Sequence, residues 1–369
     1  MAVIWPPTGQ SRGVKLQQAM PRPPSCMRVR TSARGGAAPR HRPEGITIHH
    51  IMLGRPTIRP FPAFNADEDA EELRQAMKGI GTDEARIIKV LANRSASQRK
   101  AIASRYLALF GKHLEKDLKR ELTGNFEEVV LASLQDVAEM KACALRKAMK
   151  GAGTKEHVLI QVIAVASNSE LQQIKHAYQT IVERDLEKDI SSETSGDFRC
   201  ILVAMLQAQR DENPNVNQAQ VEVDADALYK SGEGRMGTEE SRFTQIFSQR
   251  SFQHIKEIAK TYAIRYKKTL IEAIKSETSG DYRETLITIV SFAEDQIVLY
   301  VKWLQDSMVG MGTRDDDLIR LILSSAEINL GDIKEAYQRK TNKLLTNAIQ
   351  SETSGDYKRM LIAIVEGNA

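Results

Sequence analysis

Met77-Lys78-Gly79-Ile80-Gly81-Thr82 (MKGIGT) is the stretch on which the fold turns, because the chain writes it four times. It returns as MKGAGT ending at Thr154, as GEGRMGT ending at Thr238 and as MVGMGT ending at Thr313, so the copies follow one another at nearly even intervals. Other positions keep register with it. A tyrosine follows each threonine at one fixed distance, from Thr82 to Tyr106, Thr154 to Tyr178, Thr238 to Tyr262 and Thr313 to Tyr337. A glutamate follows further on, again at one distance in every copy: Glu121, Glu193, Glu277 and Glu352. An aromatic stands just beyond each glutamate in the same register, as Phe126, Phe198, Tyr282 and Tyr357. A long period of this kind marks a repeat array, in which each unit buries its apolar face against its neighbours.

Within a repeat the pattern is helical. Apolar residues recur in pairs one helical turn apart after each threonine (Ile87/Leu91, Leu159/Ile163, Phe243/Phe247, Leu318/Ile322), a step that places both on one helix face. Ala70, Leu73 and Met77 give the preceding helix its own stripe. The threonine suits a helix N-cap, with Asp83, Glu84 and Glu239 near the positive end of the dipole, and Thr313…Asp316 resembles a capping box. Strand-like alternation is absent, so the fold class is all-α. The spacing predicts repeats over 65–136, 137–208, 224–292 and 293–369, with a linker over 209–223, around Pro214, that splits the array into two pairs.

Ten of the eleven prolines precede residue 64, and a pyrrolidine ring breaks helix interiors. Residues 1–64 therefore read as a disordered Pro/Arg-rich tail carrying ten basic residues against the single acid Glu44; a start at Met52 would shorten it to an ordinary leader. The remaining chain holds 42 basic and 47 acidic residues, so the overall charge of +4 belongs to the tail and the body is mildly acidic. That balance argues against a broad nucleic-acid-binding face. No apolar run approaches the ~18 residues that span a bilayer. Cys26, Cys143 and Cys200 form no metal or disulfide spacing, which favours a reduced, cytoplasmic setting with any membrane contact made reversibly at the surface.

A single Gly-X-Gly-Thr is most often a helix stop followed by a helix start, and a single glutamate far along the chain is a solvated acid. Four copies of both at one separation point elsewhere. Glycine accepts positive φ, so the turn can aim several carbonyl oxygens at one spot. Calcium takes six to eight oxygen ligands in flexible geometry. Loop carbonyls with one bidentate glutamate supply most of that set and about one formal negative charge, leaving a net positive site that can bridge an acidic body to an anionic surface.

The loops, their glutamates at fixed distance and the strings Ser192–Asp197, Ser276–Asp281, Ser351–Asp356 (SETSGD) and Glu121–Phe126 (ELTGNF) resemble the annexin signature over roughly residues 66–365. The resemblance implies four repeats of five helices forming a curved disc, with reversible Ca²⁺-dependent binding to phosphatidylserine-rich membranes. It implies carbonyl ligands at Met77, Gly79 and Gly81 with Glu121, and at Met149, Gly151 and Gly153 with Glu193. It likewise implies Gly232, Arg235 and Gly237 with Glu277, and Met308, Gly310 and Gly312 with Glu352. Ile80, Met236 and Met311 at the loop tips suit the headgroup layer, and Lys78, Lys150 and Arg235 suit phosphates. Annexin tails commonly recruit partners, so a protein partner for the tail is a further expectation. The chain departs from the family at Ala166 and Ser325, where an arginine is usual, and at Lys141 and Ala144, where acids often line a central channel.

Two other classes fit less well. An enzyme would need a phosphate loop after a strand, a dinucleotide fingerprint or paired catalytic carboxylates, and the seven histidines share no repeat position. A helical-repeat protein scaffold explains the periodicity, but not why glycine and glutamate keep register along with the apolar positions.

Overall fold

The computed structural model describes residues 54–79, 81–151, 153–234, 237–310 and 312–368. Among the described residues are nineteen helices and no strand. The first repeat comprises α1 (Ala66–Ala76), α2 (Glu84–Leu91), α3 (Ala96–Phe110), α4 (Leu114–Glu121) and α5 (Gly124–Ser133). The second comprises α6 (Val137–Ala148), α7 (Glu156–Ile163), α8 (Asn168–Val182), α9 (Leu186–Glu193) and α10 (Gly196–Leu206). Then come α11 (Gln218–Ser231), α12 (Glu240–Gln249), α13 (Phe252–Tyr266), α14 (Leu270–Glu277) and the long α15 (Gly280–Met308). The last four are α16 (Asp315–Ser325), α17 (Leu330–Thr341), α18 (Leu345–Glu352) and α19 (Gly355–Glu366).

Helix α15 is two helices run together. Asp295 leaves helical geometry (φ −157°, ψ 100°), and its carboxylate accepts from the N–H groups of Ile297 and Val298, which is how an N-cap starts a helix. Counting its halves separately gives five helices in every repeat.

The registered aromatics are core. Tyr106, Tyr178, Tyr262 and Tyr337 are buried, as are Phe126, Phe198, Tyr282 and Tyr357. Two apolar clusters result, one joining repeats 1 and 4 and the other joining repeats 2 and 3. Helix α5 packs on α16 and α19, and α10 packs on α12 and α15. The division of the core therefore does not follow the linker at 209–223, because apolar faces match by shape across the array and not by chain order. Part of that linker is ordered as well. Helix α11 already starts at Gln218, and Arg210 is buried, donating to Arg250 O (2.6 Å) with its guanidinium 4.4 Å from the Phe252 ring centre.

The end of the expected disordered tail is docked. Thr57 and Ile58 are buried, and both donate their N–H to Ala326 O at 2.8 and 3.0 Å. Residues 1–53 lie outside the described residues.

Candidate functional site

Each of the loops links the first and second helix of a repeat and is closed at its base by one backbone hydrogen bond. Asp83 N–H donates to Ala76 O (2.9 Å), Lys155 N–H to Ala148 O (2.9 Å) and Arg314 N–H to Ser307 O (2.8 Å). In repeat 3 Glu239 N–H donates to Ser231 O (2.7 Å), a closure one residue longer. Helices α2, α7, α12 and α16 are capped by Asp83, Lys155, Glu239 and Arg314, so the expected caps on Thr82, Thr154, Thr238 and Thr313 lie one residue too early. The Thr313…Asp316 capping box does not form.

The threonine does something else. Thr82 Oγ1 donates to Glu121 Oε2 (3.3 Å), and Thr154 Oγ1 to Glu193 O (3.4 Å). Thr238 Oγ1 donates to Glu277 O (2.8 Å) and Oε2 (3.3 Å), and Thr313 Oγ1 to Glu352 O (3.2 Å). Each glutamate is the last residue of an eight-residue helix, α4, α9, α14 or α18, followed by an extended residue. Folding thus brings the registered glutamate to the foot of its loop in all four repeats, and the threonine hydroxyl joins them.

Gly79 and Gly81 have φ of 109° and 86°, and a Cβ on either would meet no atom within 4 Å. Backbone geometry, not space, requires glycine there, since an L side chain at such φ is strained. Gly151 and Gly153, and Gly310 and Gly312, repeat the pair. Met77, Met149 and Met308 bury their side chains at the loop base, so their carbonyls are carried by residues anchored in the core. Repeat 3 is built differently. Gly237 alone has positive φ there among the described loop residues, and Gly232 lies so close to Glu277 that a Cβ would stand 3.0 Å from its Cγ. Arg235, Ile80, Met236 and Met311 lie outside the described residues, while Lys78 and Lys150 are exposed.

The donors these glycine turns and their neighbouring glutamates have to offer are oxygens. Among the described residues no three His, Cys, Asp or Glu side chains gather as a metal cluster. Such a set suits a hard cation that tolerates carbonyl and water ligands, and is a poor match for zinc, which prefers thiolate and imidazole.

Two features were missed by sequence reasoning. Glu233, in the longer repeat 3 loop, accepts from Tyr262 Oη (2.8 Å) and from Lys268 Nζ; burial pushes its carboxyl up, but these two partners outweigh it and hold it below the usual range. The second is a cleft of about 560 Å³ between repeats 2 and 4, where His157 lies 2.8 Å from Asp317 and Arg320 donates to Asp317 (2.8 Å) and Gln161 (2.6 Å). Burial opposes ionisation of Asp317, yet His157 and Arg320 prevail and bring its pKa down to about 2.

Four helical repeats, each carrying a glycine loop tied to a distant glutamate, define an array of oxygen-lined surface sites. The annexin family model matches residues 68–133, 140–205, 223–289 and 300–364, one segment per repeat, and the chain belongs to the annexin family, known for calcium-dependent phospholipid binding. It is 43% identical to annexin A7 of Homo sapiens over 322 residues, 87% of this chain and 66% of that protein. It is 42% identical to annexin A13 of Homo sapiens over 302 residues, 82% of this chain and 96% of that protein. Its matched part thus spans just under two thirds of the annexin A7 relative. Among solved structures, annexin III superposes with a TM-score of 0.84 at 38% identity, covering 86% of this chain and 99% of that one. A calcium-bound annexin (Sm)1 superposes with a TM-score of 0.77 at 37% identity, covering 85% and 93%.

Proposed function

We propose that this chain binds acidic phospholipid surfaces through calcium ions held at the four loops. The observation that supports the reading is the threonine–glutamate contact in every repeat, made to the carboxylate of Glu121 and Glu277 and to the main-chain oxygen of Glu193 and Glu352, which ties the registered glutamate to a glycine turn four times over. At each loop, carbonyls of Met77, Gly79 and Gly81 and their equivalents would supply three oxygens and the bidentate glutamate two more. Between one and three coordination positions remain for water or a lipid phosphate oxygen, on the order of six to eight ligands per ion. One carboxylate per ion leaves a net positive charge, so affinity without lipid falls near 10⁻⁴–10⁻³ M, on the order of other charge-poor sites. Several sites engaging one surface add by avidity. Among the described residues no helix is long and apolar enough to cross a membrane, which fits attachment from outside. A cytoplasmic, reversibly attached protein that organises membranes or directs their traffic follows from this reading; the four repeat spans given above and a protein partner for the tail stand beside it as parts of the proposal.

Co-sedimentation with phosphatidylserine/phosphatidylcholine vesicles tests it. Wild type is expected to pellet with millimolar Ca²⁺ and stay in the supernatant with chelator. A variant carrying Glu121→Gln, Glu193→Gln, Glu277→Gln and Glu352→Gln should need at least roughly tenfold more Ca²⁺. Binding that ignores both calcium and the four substitutions would sink the proposal and leave a helical-repeat scaffold, or attachment through the basic tail, in its place.

A further inference from the structure

The fifth helix of a repeat ends in carbonyls that no further helical turn satisfies, and two repeats cover that end with a lysine from their third helix. Lys175 Nζ donates to Leu206 O (3.0 Å) and Lys334 Nζ to Val365 O (3.3 Å), at one register position in repeats 2 and 4. In repeat 1 the same positions are Ala103 and Leu134, and a methyl group cannot make the reach. Repeat 3 also has alanine, but Ala259 there is buried, whereas Ala103 is half-buried. What the missing lysine leaves in repeat 1 is a groove of about 510 Å³ between α3, α4 and α5, closed on its far side by Glu139 of α6 and Ile181 of α8.

The groove has an apolar floor and a basic rim. Ala103, Leu131 and Leu134 line the floor, and Ile181 stands beside them 45% exposed, where repeat 4 has Lys340 in the same register. Leu107, one turn along α3 from Ala103, continues the apolar strip and is 42% exposed. On the rim Lys100 is neutralised by Asp136 and Glu139. That leaves Lys116 and Lys119 of α4 against Glu115, and neither lysine has an ion-pair partner among the described residues. Helix α5 starts at Gly124, close after Glu121, and runs away from the repeat 1 loop. At 1.5 Å per residue, Leu131 and Leu134 lie roughly 10–15 Å from its start. A ligand in the groove therefore leaves the loop free.

We propose that this groove between repeats 1 and 2 binds an acidic amphipathic helix of a partner protein, its aliphatic face over Ala103 and Leu131 and its carboxylates facing Lys116 and Lys119. Charge selects the occupant. The chain's own residues 1–53 carry eight Lys and Arg against the single acid Glu44, the same sign as the rim. A helix in a groove anchors through side chains one turn apart, which is the step from Ala103 to Leu107. The surface is separate from the glycine loops, so the chain holds a protein partner there without giving up any loop.

The test is fluorescence anisotropy of a labelled peptide of about 15 residues, built of Leu and Glu as an amphipathic helix, titrated with the full chain in chelator. A peptide of the same pattern with Lys in place of Glu is the control. Wild type should bind the acidic peptide at least roughly 10-fold more tightly than the control. Ala103→Lys writes into repeat 1 the residue that repeats 2 and 4 carry there. It should weaken acidic-peptide binding roughly 10-fold by filling the groove, although it adds a positive charge. The double variant Lys116→Glu, Lys119→Glu, made at two exposed positions, should invert the preference between the peptides whatever Ala103→Lys does to stability. Acidic-peptide binding by Ala103→Lys as tight as wild type, at an unchanged thermal midpoint, would overturn the proposal, because charge alone would then attract the peptide. Failure of the double variant to invert the preference would overturn it too, as would binding of neither peptide. Wild-type preference for the Lys peptide would overturn it in favour of the chain's own tail. Self-association in sedimentation that Ala103→Lys abolishes would overturn it in favour of a second copy.

Discussion

At the scale of single residues, one buried charge pair has been rewritten from repeat to repeat. Arg94 donates to both oxygens of Asp69 (2.6 and 2.9 Å), and Arg250 to both oxygens of Asp224 (2.6 and 3.2 Å), each pair tying the first helix of a repeat to the end of the second. Where the arginine is missing, the acid is missing too. Repeat 2 has Ala166 with Lys141, which reaches Glu170 instead, a pair of reversed sign; repeat 4 has Ser325 with Tyr300. The departures at Ala166, Lys141 and Ser325 are thus coupled replacements within one contact. Their energetic weight differs. Asp224 is fully buried, accepts from Gln220 Nε2 (2.9 Å) and also faces His254 Nε2 at 3.0 Å, so Asp224→Ala strands three cationic or polar partners and should cost roughly 3 kcal/mol. Lys141→Met removes a buried ammonium but leaves Glu170, 34% exposed, free to hydrate, and should cost under about 1 kcal/mol. Urea unfolding of the two variants in chelator checks the order, and equal losses would refute the account.

At the scale of elements, α7 and α16 meet across the cleft between repeats 2 and 4 through His157, Asp317 and Arg320. The folded carboxyl of Asp317 sits near 2, below its ordinary value of 3.8. Folding therefore favours the ionised form. The associated stability is fully present above about pH 4 and is lost as pH falls toward 2, amounting to roughly 2 kcal/mol. Asp317→Asn should lower stability at pH 7 by about that amount and flatten the decline below pH 4. A wild-type-like acid slope in the variant would show that Asp317 does not carry it. Elements of this kind also show what was legible beforehand. The loops, the core tyrosines and the glutamates were readable because they recur in fixed register, whereas five helices per repeat came with the annexin resemblance. The threonine's role was not, because a helix cap and a contact with a distant glutamate look alike in sequence. Nor was the acceptor of Tyr262: Tyr106 and Tyr178 donate to Asp117 and Asp189 at one register position, whereas that position in repeat 3 is Ala273 and Glu233 of the loop takes over. The pairing of repeats 1 with 4 and 2 with 3 was hidden for a similar reason: it depends on which apolar faces meet in space, and the linker at 209–223 carries no information about that.

At the scale of the molecule, the segment from Gly54 to Phe64 stitches the last repeat to the first. On the repeat 4 side, Gly331 N–H donates to Arg55 O (2.7 Å), Thr57 Oγ1 to Ile364 O (2.8 Å) and Asn368 N–H to Thr57 O (2.9 Å). On the repeat 1 side, Phe61 exchanges hydrogen bonds with the Gln98 side chain (2.9 and 3.0 Å), and its ring centre lies 4.0 Å from the Arg94 guanidinium carbon. The surface ion pairs of Arg55 with Asp332 and Glu335 are too exposed to hold the strap by themselves. Close backbone approach does more, and it depends on Gly367, where a Cβ would lie 2.0 Å from Thr57 O at φ of 79°. Gly367→Ala should therefore expel the strap. Gly111→Ala is the control, because Gly111 has a comparable φ of 64° with nothing within 4 Å, and carries only the dihedral penalty of about 1–2 kcal/mol. Limited proteolysis with thermolysin, which cuts before large apolar residues, should cleave Gly367→Ala ahead of the otherwise buried Ile58 far faster than wild type or Gly111→Ala, since a protease needs an extended, accessible backbone. The calcium requirement for vesicle binding should stay within about twofold, because the loops and their glutamates are built from contacts inside each repeat and do not use the strap. Equal cleavage in the two glycine variants would mean that backbone strain, and not the packing of Thr57 against the C-terminus, sets the strap's hold. A large shift in calcium requirement would mean that the junction of repeats 1 and 4 governs the loops after all.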